Sequence, residues 1–326
     1  MIRVLDGEAV GSLLDPRLAL EAMTDLFAMP VDAQVYGRID LHHDRGWIRV
    51  LPGYLEQLEV FGYKVLSRTS EVGMRYAVHV HDLDSGALRG MVDGLSVTNA
   101  RTGAVSALAT DLLAVADVEV AALIGTGPVG RGQLVALDLV RSAGVTRVFS
   151  PTQARREALV DQMQGKVACD LVSAESLESA IDGAQMVTLA TNATAPVLMA
   201  GHLAPGMHVN SVGPASRDRH EIDADAFPVF DQVVCDSVVL VLNEAGDAIE
   251  ATRHGTLTAE GAVDLAVMLS TGGGRRSADE ITLFKSVGTG LQDLIVALRL
   301  LEKADRADIG LVIDDFVTLK PFGVGR

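Results

Sequence analysis

The sequence is poor in cysteine and contains no long apolar run. Its 326 residues include two cysteines, Cys169 and Cys235, whose spacing suits neither a metal site nor a redox pair. We interpret both as reduced core residues of a cytoplasmic protein. No apolar run reaches the roughly 20 residues that cross a bilayer, and residues 1–6 hold no apolar signal region. These absences predict a soluble, enzyme-sized chain with no metal centre and no membrane partner.

Positive charge is also scarce. The formal net charge is −16, which argues against nucleic acid as a partner because a phosphate backbone would be repelled. The chain has five lysines, and two of them, Lys64 and Lys285, stand inside apolar segments that resemble strands. A lysine is costly to bury without an anionic partner or a lowered pKa. A lysine at either position is therefore unusual.

The pattern of elements changes near residue 115. The earlier part mixes helices with strands joined by Gly, Pro and Asp turns, and predicts an α+β unit. The later part alternates strands with helices and predicts a doubly wound parallel sheet. We predict an α/β protein with a Rossmann domain (115–288) and an α+β substrate-binding and dimerisation domain (1–114 with 289–326). The predicted helices are 16–27, 98–114 and 288–303, and the predicted strands are 46–51, 60–67, 76–82, 87–93, 119–124, 146–150, 167–171, 185–190, 207–212, 232–235 and 281–286.

A glycine motif at residues 125–130 is the most informative feature. It follows an apolar strand and precedes a helical pattern. Gly125 permits a tight turn, Gly127 lets the backbone approach a pyrophosphate, and Gly130 lets the helix pack against the strand. The N-terminus of that helix offers free N–H groups to phosphates. The motif predicts a dinucleotide site, and the alternative is a glycine-rich turn without a ligand.

The end of the second Rossmann strand bears on the choice of cofactor. NAD sites usually have Asp or Glu there, to hold the ribose diol. This chain has Ser150, Thr152 and Arg155 instead, and these side chains can bind a 2′-phosphate. We expect NADP or NAD, with NADP slightly favoured. The alternative is that Arg155 and Arg156 belong to a solvated helix face.

Nine segments together resemble the ornithine cyclodeaminase/mu-crystallin family. They follow the family's order over nearly the whole chain, and residues 101–107 and 284–288 are the most specific. The resemblance implies an NAD(P)-dependent enzyme of imino or amino acids, and a homodimer that pairs through the first domain. The matching segments are 45–47, 51–54, 62–64, 91–94, 100–107, 125–130, 188–191, 205–213 and 284–288.

The resemblance also implies roles for individual residues. Lys64 matches the active-site lysine, which can bind a carboxylate or move a proton. Arg45 and Arg101 match substrate-binding arginines, whose planar forks suit a carboxylate. The alternatives are a snorkelling Lys64 and a surface Arg45. The cofactor residues expected from the glycine motif, the second strand and the resemblance are Arg101, Thr102, Gly125, Gly127, Pro128, Val129, Gly130, Ser150, Thr152, Arg155, Ala190, Thr191, Val212, Ser286 and Gly288.

Two departures from the family pattern affect the predicted reaction. Ala215 stands where cyclodeaminases have an aspartate that handles the side-chain amine, and Asp218 is the nearest carboxylate. Ala77 stands where the family has a small polar pocket residue. His79 and His81 share its strand face, so His81 can be a proton donor or part of a solvated face. The first departure disfavours ornithine cyclisation.

We therefore predict an NAD(P)H-dependent oxidoreductase that acts on the C–N bond of a small α-imino or α-amino acid, as a ketimine reductase or an amino-acid dehydrogenase does. One alternative is an ornithine- or lysine-type cyclodeaminase that releases ammonia. The other is a ligand-binding member of the family with little turnover. Retention of Lys64 and both arginines argues against the last.

Overall fold

Two sheets organise the chain. The first has seven mostly antiparallel strands, drawn from the N-terminal part and one strand near the C-terminus, and the second has eight strands that are all parallel. This arrangement confirms the predicted α/β class. The computed structural model describes residues 1–29, 37–69, 71–213, 215–315 and 317.

The first sheet is built around a meander of long strands. The strands predicted at 76–82 and 87–93 pair as an antiparallel hairpin through residues 83–86, where Gly86 adopts a φ of +70°. A short N-terminal strand and helix were missed, because each is too short to leave a clear periodic pattern. The elements are β1 (Ile2–Leu5), α1 (Gly7–Leu13), α2 (Pro16–Ala28), β2 (Ile39–His43), β3 (Gly46–Leu55), β4 (Val60–Thr69), β5 (Gly73–Asp82), β6 (Leu88–Asp93) and α3 (Gly94–Leu113).

The second sheet forms the parallel layer of the predicted Rossmann unit. Its central strands are buried along their whole length, as in sheets that have both faces covered. The strand predicted at 167–171 begins later, at Asp170. The elements are β7 (Val120–Ile124), α4 (Pro128–Asp138), β8 (Val145–Phe149), α5 (Gln153–Met163), β9 (Asp170–Ser173), α6 (Leu177–Ile181), β10 (Met186–Leu189), β11 (His208–Ser211), β12 (Gln232–Cys235), α7 (Val238–Glu244), α8 (Gly246–His254), β13 (Ala262–Asp264), α9 (Leu265–Ser270), β14 (Thr282–Lys285), α10 (Gly290–Ala307) and β15 (Leu311–Ile313).

Helix α10 returns to the first sheet, as predicted, and packs on one of its faces, which we call the inner face. Three strand glycines allow this close approach. A Cβ atom at any of them would lie only 2.5–2.7 Å from a leucine methyl group of the helix. Side chains that share this inner face therefore meet α10 directly. The contacting pairs are Gly53 with Leu291, Gly62 with Leu294 and Gly90 with Leu301.

Two further expectations bear on the chain as a whole. Cys169 and Cys235 are both free thiols and buried, as their apolar surroundings predicted. None of the described helices is long and apolar enough to cross a membrane. The C-terminal part of the predicted first domain, residues 318–326, lies outside the described residues.

Candidate active site

Five adjacent parallel strands end along one edge of the second sheet. In the order β14-β11-β10-β7-β8, the strands that follow β7 in the chain lie on both sides of it: β8 on one side, and β10, β11 and β14 on the other. The edge between β7 and β10 is therefore a topological switch point. Five predicted cofactor residues each follow directly after one of these strand ends. They are Ser286, Val212, Ala190, Gly125 and Ser150.

The glycine loop has the geometry that its motif predicts. Gly125 has a φ of +115°, and a Cβ atom there would collide with the carbonyl oxygen of Ala190. A Cβ atom at Gly130 would collide with the carbonyl oxygen of Gly125. Gly127 instead faces open space and stands at the start of α4, where no side chain caps the helix. Pro128 and Val129 form the first turn, so this loop fits a pyrophosphate.

The residues after β8 differ in how firmly they are held. Arg156 donates to the carbonyl oxygen of Ser150 at 2.9 Å, and its guanidinium lies 5.9 Å from the centre of the Phe149 ring. Arg155 is exposed, and its side chain has no ion-pair partner within the part of the chain that is described. Thr152 precedes α5 and its side chain makes no capping bond. Arg155 and Thr152 are therefore available to a ligand, whereas Arg156 supports the strand end.

Two buried acids hold the other loops of this edge. Asp236 accepts hydrogen bonds from the Ser286 hydroxyl and the Gly288 N–H, both at 2.7 Å. Glu221 accepts from the Thr191 N–H at 2.7 Å and the Gly213 N–H at 2.9 Å. Neither acid was predicted from the sequence. Asp236 carried a signal, a carboxylate directly after the apolar strand β12, whereas Glu221 stands in the mostly polar segment 216–225, which gives none.

Lys64 lies on the inner face of β4 and is 2% exposed. Its Nζ atom is 2.9 Å from Oδ1 of Asp293 in α10, and 5.6 Å from the centre of the Tyr76 ring. Burial lowers the pKa of Lys64, Asp293 raises it, and Arg101 lowers it again, which brings the pKa to about 8. Lys64 is therefore mostly protonated at neutral pH and is able to release a proton.

Arg101 joins the same cluster from α3. Its Nε atom is 3.4 Å from Oδ1 of Asp293, and its Nη1 atom donates to Oε1 of Gln292 at 3.0 Å. A Cβ atom at Gly288 would lie 2.5 Å from that Nη1 atom. The glycine therefore lets the guanidinium sit between Lys64 and the loop after β14. Thr102, the next residue, is buried in α3, where its hydroxyl donates to the carbonyl oxygen of Thr98 at 2.6 Å.

The structure does not bring Arg45 to this cluster. Arg45 is exposed at the turn between β2 and β3, where its N–H donates to Nδ1 of His43 at 3.2 Å. Arg38, seven residues earlier, lies near Lys64 instead. Its guanidinium pairs with Glu244 and donates to the carbonyl oxygen of Gly288 at 2.9 Å. Arg38 was not predicted from the sequence, because it lies outside the segments that resemble the family.

The histidines of β5 lie on the opposite face from Lys64. Lys64 pairs in register with Val78, whereas His79 and His81 face outward with the odd-numbered residues of β4. The His79 ring stacks on Tyr63 at 4.7 Å, and the His81 ring stacks on Phe61 at 4.8 Å. The sheet therefore lies between His81 and Lys64, which favours the alternative that His81 belongs to the outer strand face. Ala77 shares the outward face.

Ala215 and Asp218 are the two residues that bear on the cyclodeaminase alternative. The carbonyl oxygen of Ala215 accepts from Nη1 of Arg49 at 3.2 Å. Asp218 is exposed, and a hydrogen bond from Ser216 lowers its pKa. Asp218 does not contact Lys64 or Arg101. Pro214, in the same segment, lies outside the described residues.

Comparison with known proteins agrees with this geometry. Residues 8–308 match the model of the ornithine cyclodeaminase/mu-crystallin family. A Δ1-pyrroline-2-carboxylate reductase of Bacillus cereus is 31% identical over 269 residues, which are 80% of this chain and 82% of that protein. The ketimine reductase mu-crystallin of Mus musculus is 28% identical over 261 residues, 78% and 79% of the two chains.

A solved structure extends the likeness to the fold. The Δ1-pyrroline-2-carboxylate reductase of Thermococcus litoralis, in complex with NADH and L-proline, superposes with a TM-score of 0.91 at 30% identity. The match covers 96% of this chain and 100% of the other. Family match, sequence relatives and fold agree over nearly the whole length. The chain belongs to the ornithine cyclodeaminase/mu-crystallin family.

Proposed function

We propose that the chain uses NAD(P)H to reduce the C=N bond of a small α-imino monocarboxylate. The observation that carries this proposal is the buried cluster in which Lys64 and Arg101 share the single carboxylate of Asp293. Two cations on one anion leave an uncompensated positive charge out of water, which is unfavourable. The carboxylate of an imino acid supplies the missing charge.

The charge balance of the cluster favours a substrate with one carboxylate. Lys64 and Arg101 share Asp293, which leaves one positive charge, and a monocarboxylate would neutralise it. The second carboxylate of a dicarboxylate would need a further cation, and Arg38 is already paired with Glu244.

The residues at the sheet edge are suited to hold the cofactor. Residues 125–130 would take the pyrophosphate, and the loop that Asp236 holds would face the nicotinamide. When bound, the reduced cofactor supplies hydride to the imine carbon. Ser150, Thr152 and Arg155, with no carboxylate beside them, favour NADPH over NADH.

Arg101 and Lys64 have different proposed roles toward the substrate. The guanidinium of Arg101 is fixed by Asp293 and Gln292, and it would orient the substrate carboxylate. The ammonium of Lys64 would bind that carboxylate or give a proton to the nitrogen, since its pKa of about 8 is close to neutral pH. Arg38, rather than Arg45, would be the second arginine at the carboxylate.

The named relatives support a reductase, since two of those compared above are Δ1-pyrroline-2-carboxylate reductases and one is a ketimine reductase. A cyclodeaminase is the second candidate. Ala215 disfavours it, because an alanine can neither bind the side-chain ammonium nor move its proton.

We also propose a cytoplasmic homodimer with the two domains given above (1–114 with 289–326, and 115–288). The outward face of the first sheet carries Phe61 and Tyr63, both half-buried, beside the exposed Ile39 and Leu41 on β2. An aromatic and apolar face of this kind suits a second copy. Light scattering of the purified chain tests it, and a monomer at micromolar concentration would contradict it.

The test of activity is a substrate panel with NADPH and NADH, followed by nicotinamide absorbance. We expect turnover with Δ1-pyrroline-2-carboxylate or Δ1-piperideine-2-carboxylate and much less with iminosuccinate. Ammonia release from ornithine without net consumption of cofactor would identify a cyclodeaminase instead. Tight binding of cofactor without turnover of any panel member would identify a ligand-binding protein.

A further inference from the structure

Asp293 lies in the first turn of α10 and is completely buried. Its Oδ1 atom is 2.9 Å from Nζ of Lys64 and 3.4 Å from Nε of Arg101, and the Thr98 hydroxyl lies at 3.4 Å. Its Oδ2 atom has no hydrogen-bond partner among the described residues. The contacts of Asp293 thus run to the two cations and to Thr98, so its charge acts first on Lys64 and Arg101.

The other charged groups around Lys64 lower its pKa, whereas Asp293 raises it. Arg101 on α3 and Arg38 before β2 each disfavour a positive charge on Lys64, and so does burial. Tyr76 on β5 faces Lys64 with its ring. Asp293 is the one carboxylate in the described part of the chain that pairs with this ammonium. The N-terminal position in α10 helps to hold its negative charge.

We propose that Asp293 is a positioning residue that keeps Lys64 protonated at neutral pH and fixes the direction of its ammonium group, while sharing its charge with Arg101. The inference rests on the proposed function, in which Lys64 acts on the substrate. It has two consequences of opposite sign. Removal of the Asp293 charge lowers the pKa of Lys64, and removal of the Arg101 charge raises it.

The direct test is NMR titration of protein labelled with ε-¹³C lysine. Five lysines give few signals, and Lys64→Met assigns the one of interest. We expect a midpoint near 8 in the unaltered chain, a fall of at least about one pH unit in Asp293→Asn, and a rise in Arg101→Gln. The matched control is Thr98→Val, which removes a neutral contact of the same carboxylate and should leave the midpoint in place.

An unchanged or raised midpoint in folded Asp293→Asn would overturn the proposal. If that variant does not fold, the double variant Asp293→Asn/Arg101→Gln, which removes one charge of each sign, is compared with Arg101→Gln alone. A midpoint that is not lower in the double variant would contradict the proposal. These readouts need no turnover, so they are independent of the substrate panel.

The pH dependence of kcat/KM then connects the pKa of Lys64 to the reaction. An ammonium that acts on the substrate predicts a constant kcat/KM below about pH 8 and a tenfold fall per pH unit above it. In Asp293→Asn that fall should begin at lower pH, by the same shift as the NMR midpoint. A lysine that is only structural would move the midpoint and leave the pH profile unchanged. Absence of turnover with every imino acid, together with the expected midpoints, would refute the function and leave the electrostatic role of Asp293.

Discussion

Two buried lysines end up in opposite surroundings. Lys285, at the end of β14, donates to Asp247 and to the Ser211 hydroxyl, both at 2.7 Å. Among the described residues, Lys64 forms an ion pair only with Asp293, which it shares with Arg101. Both lysines stand in apolar strands, and sequence alone noted them equally. The difference indicates that burial alone does not distinguish the two lysines, and that the excess of buried positive charge around Lys64 is what supports the proposed site.

The two lysines also support different parts of the edge. The Ser211 hydroxyl that accepts from Lys285 donates to Glu221 at 2.7 Å, and Glu221 holds the loops at Thr191 and Gly213. Lys285 therefore stabilises a network that is complete without a ligand. Lys64 belongs to a cluster that a carboxylate would complete.

The largest expected effect is on catalysis at Lys64. Lys64→Met keeps much of the apolar volume of the side chain and removes its charge and proton. We expect turnover of the best imino acid to fall by about 10²- to 10⁴-fold, with cofactor affinity unchanged. Steady-state kinetics and nicotinamide fluorescence measure the two quantities. Turnover within about threefold of the unaltered chain would show that the two lysines do not differ in function.

The second effect is on the free energy of unfolding, and it should be larger for Lys285→Met than for Lys64→Met. Lys285→Met leaves the buried carboxylate of Asp247 without its cation, which costs about 3–5 kcal/mol in the free energy of unfolding. Lys64→Met should cost less, because Arg101 still neutralises Asp293. Chemical denaturation of both variants makes the comparison. Equal losses would contradict the distinction between a lysine that has its own carboxylate and a lysine that shares one with an arginine.

The third effect separates two arginines. Arg38→Gln removes a half-buried cation beside the cluster, and we expect KM for the imino acid to rise roughly 10- to 100-fold. Arg45→Gln alters an exposed turn, so KM should change less than about twofold. A larger effect at Arg45 would restore the assignment that the resemblance implied.

The smallest effect is expected at the exposed end of the cofactor site. Arg155→Glu should weaken the preference for NADPH over NADH by about fivefold, because water screens an exposed charge. Arg156→Gln is the matched control, since Arg156 already bonds to the Ser150 carbonyl. Its effect should fall on stability rather than on the ratio of the two kcat/KM values. A strong preference for NADH in the unaltered chain would refute the 2′-phosphate assignment.

How far sequence reasoning reached depended on the range of each interaction. The glycine loop is local, since Gly125, Gly127 and Gly130 are fixed by their own backbone and the next helix, and its geometry followed the motif. Lys64 and Arg101 were found through resemblance to a family. The resemblance pointed to Arg45 and not to Arg38, because short motifs do not reveal which residues the folded chain places beside Lys64.

The sequence by itself determined the alternation of strands and helices, the nucleotide-binding turn and the excess of negative charge. Those properties depend on periodicity, on backbone freedom at particular glycines and on composition. The tertiary structure alone decided that Asp293, 229 residues from Lys64 in the chain, would be its partner. It also decided that His81 would face away from the proposed site. Side chains alternate between the two faces of β5, but which face is the inner one depends on where α10 packs. Charge balance in the site is set by residues from several distant segments, and no local pattern encodes that sum.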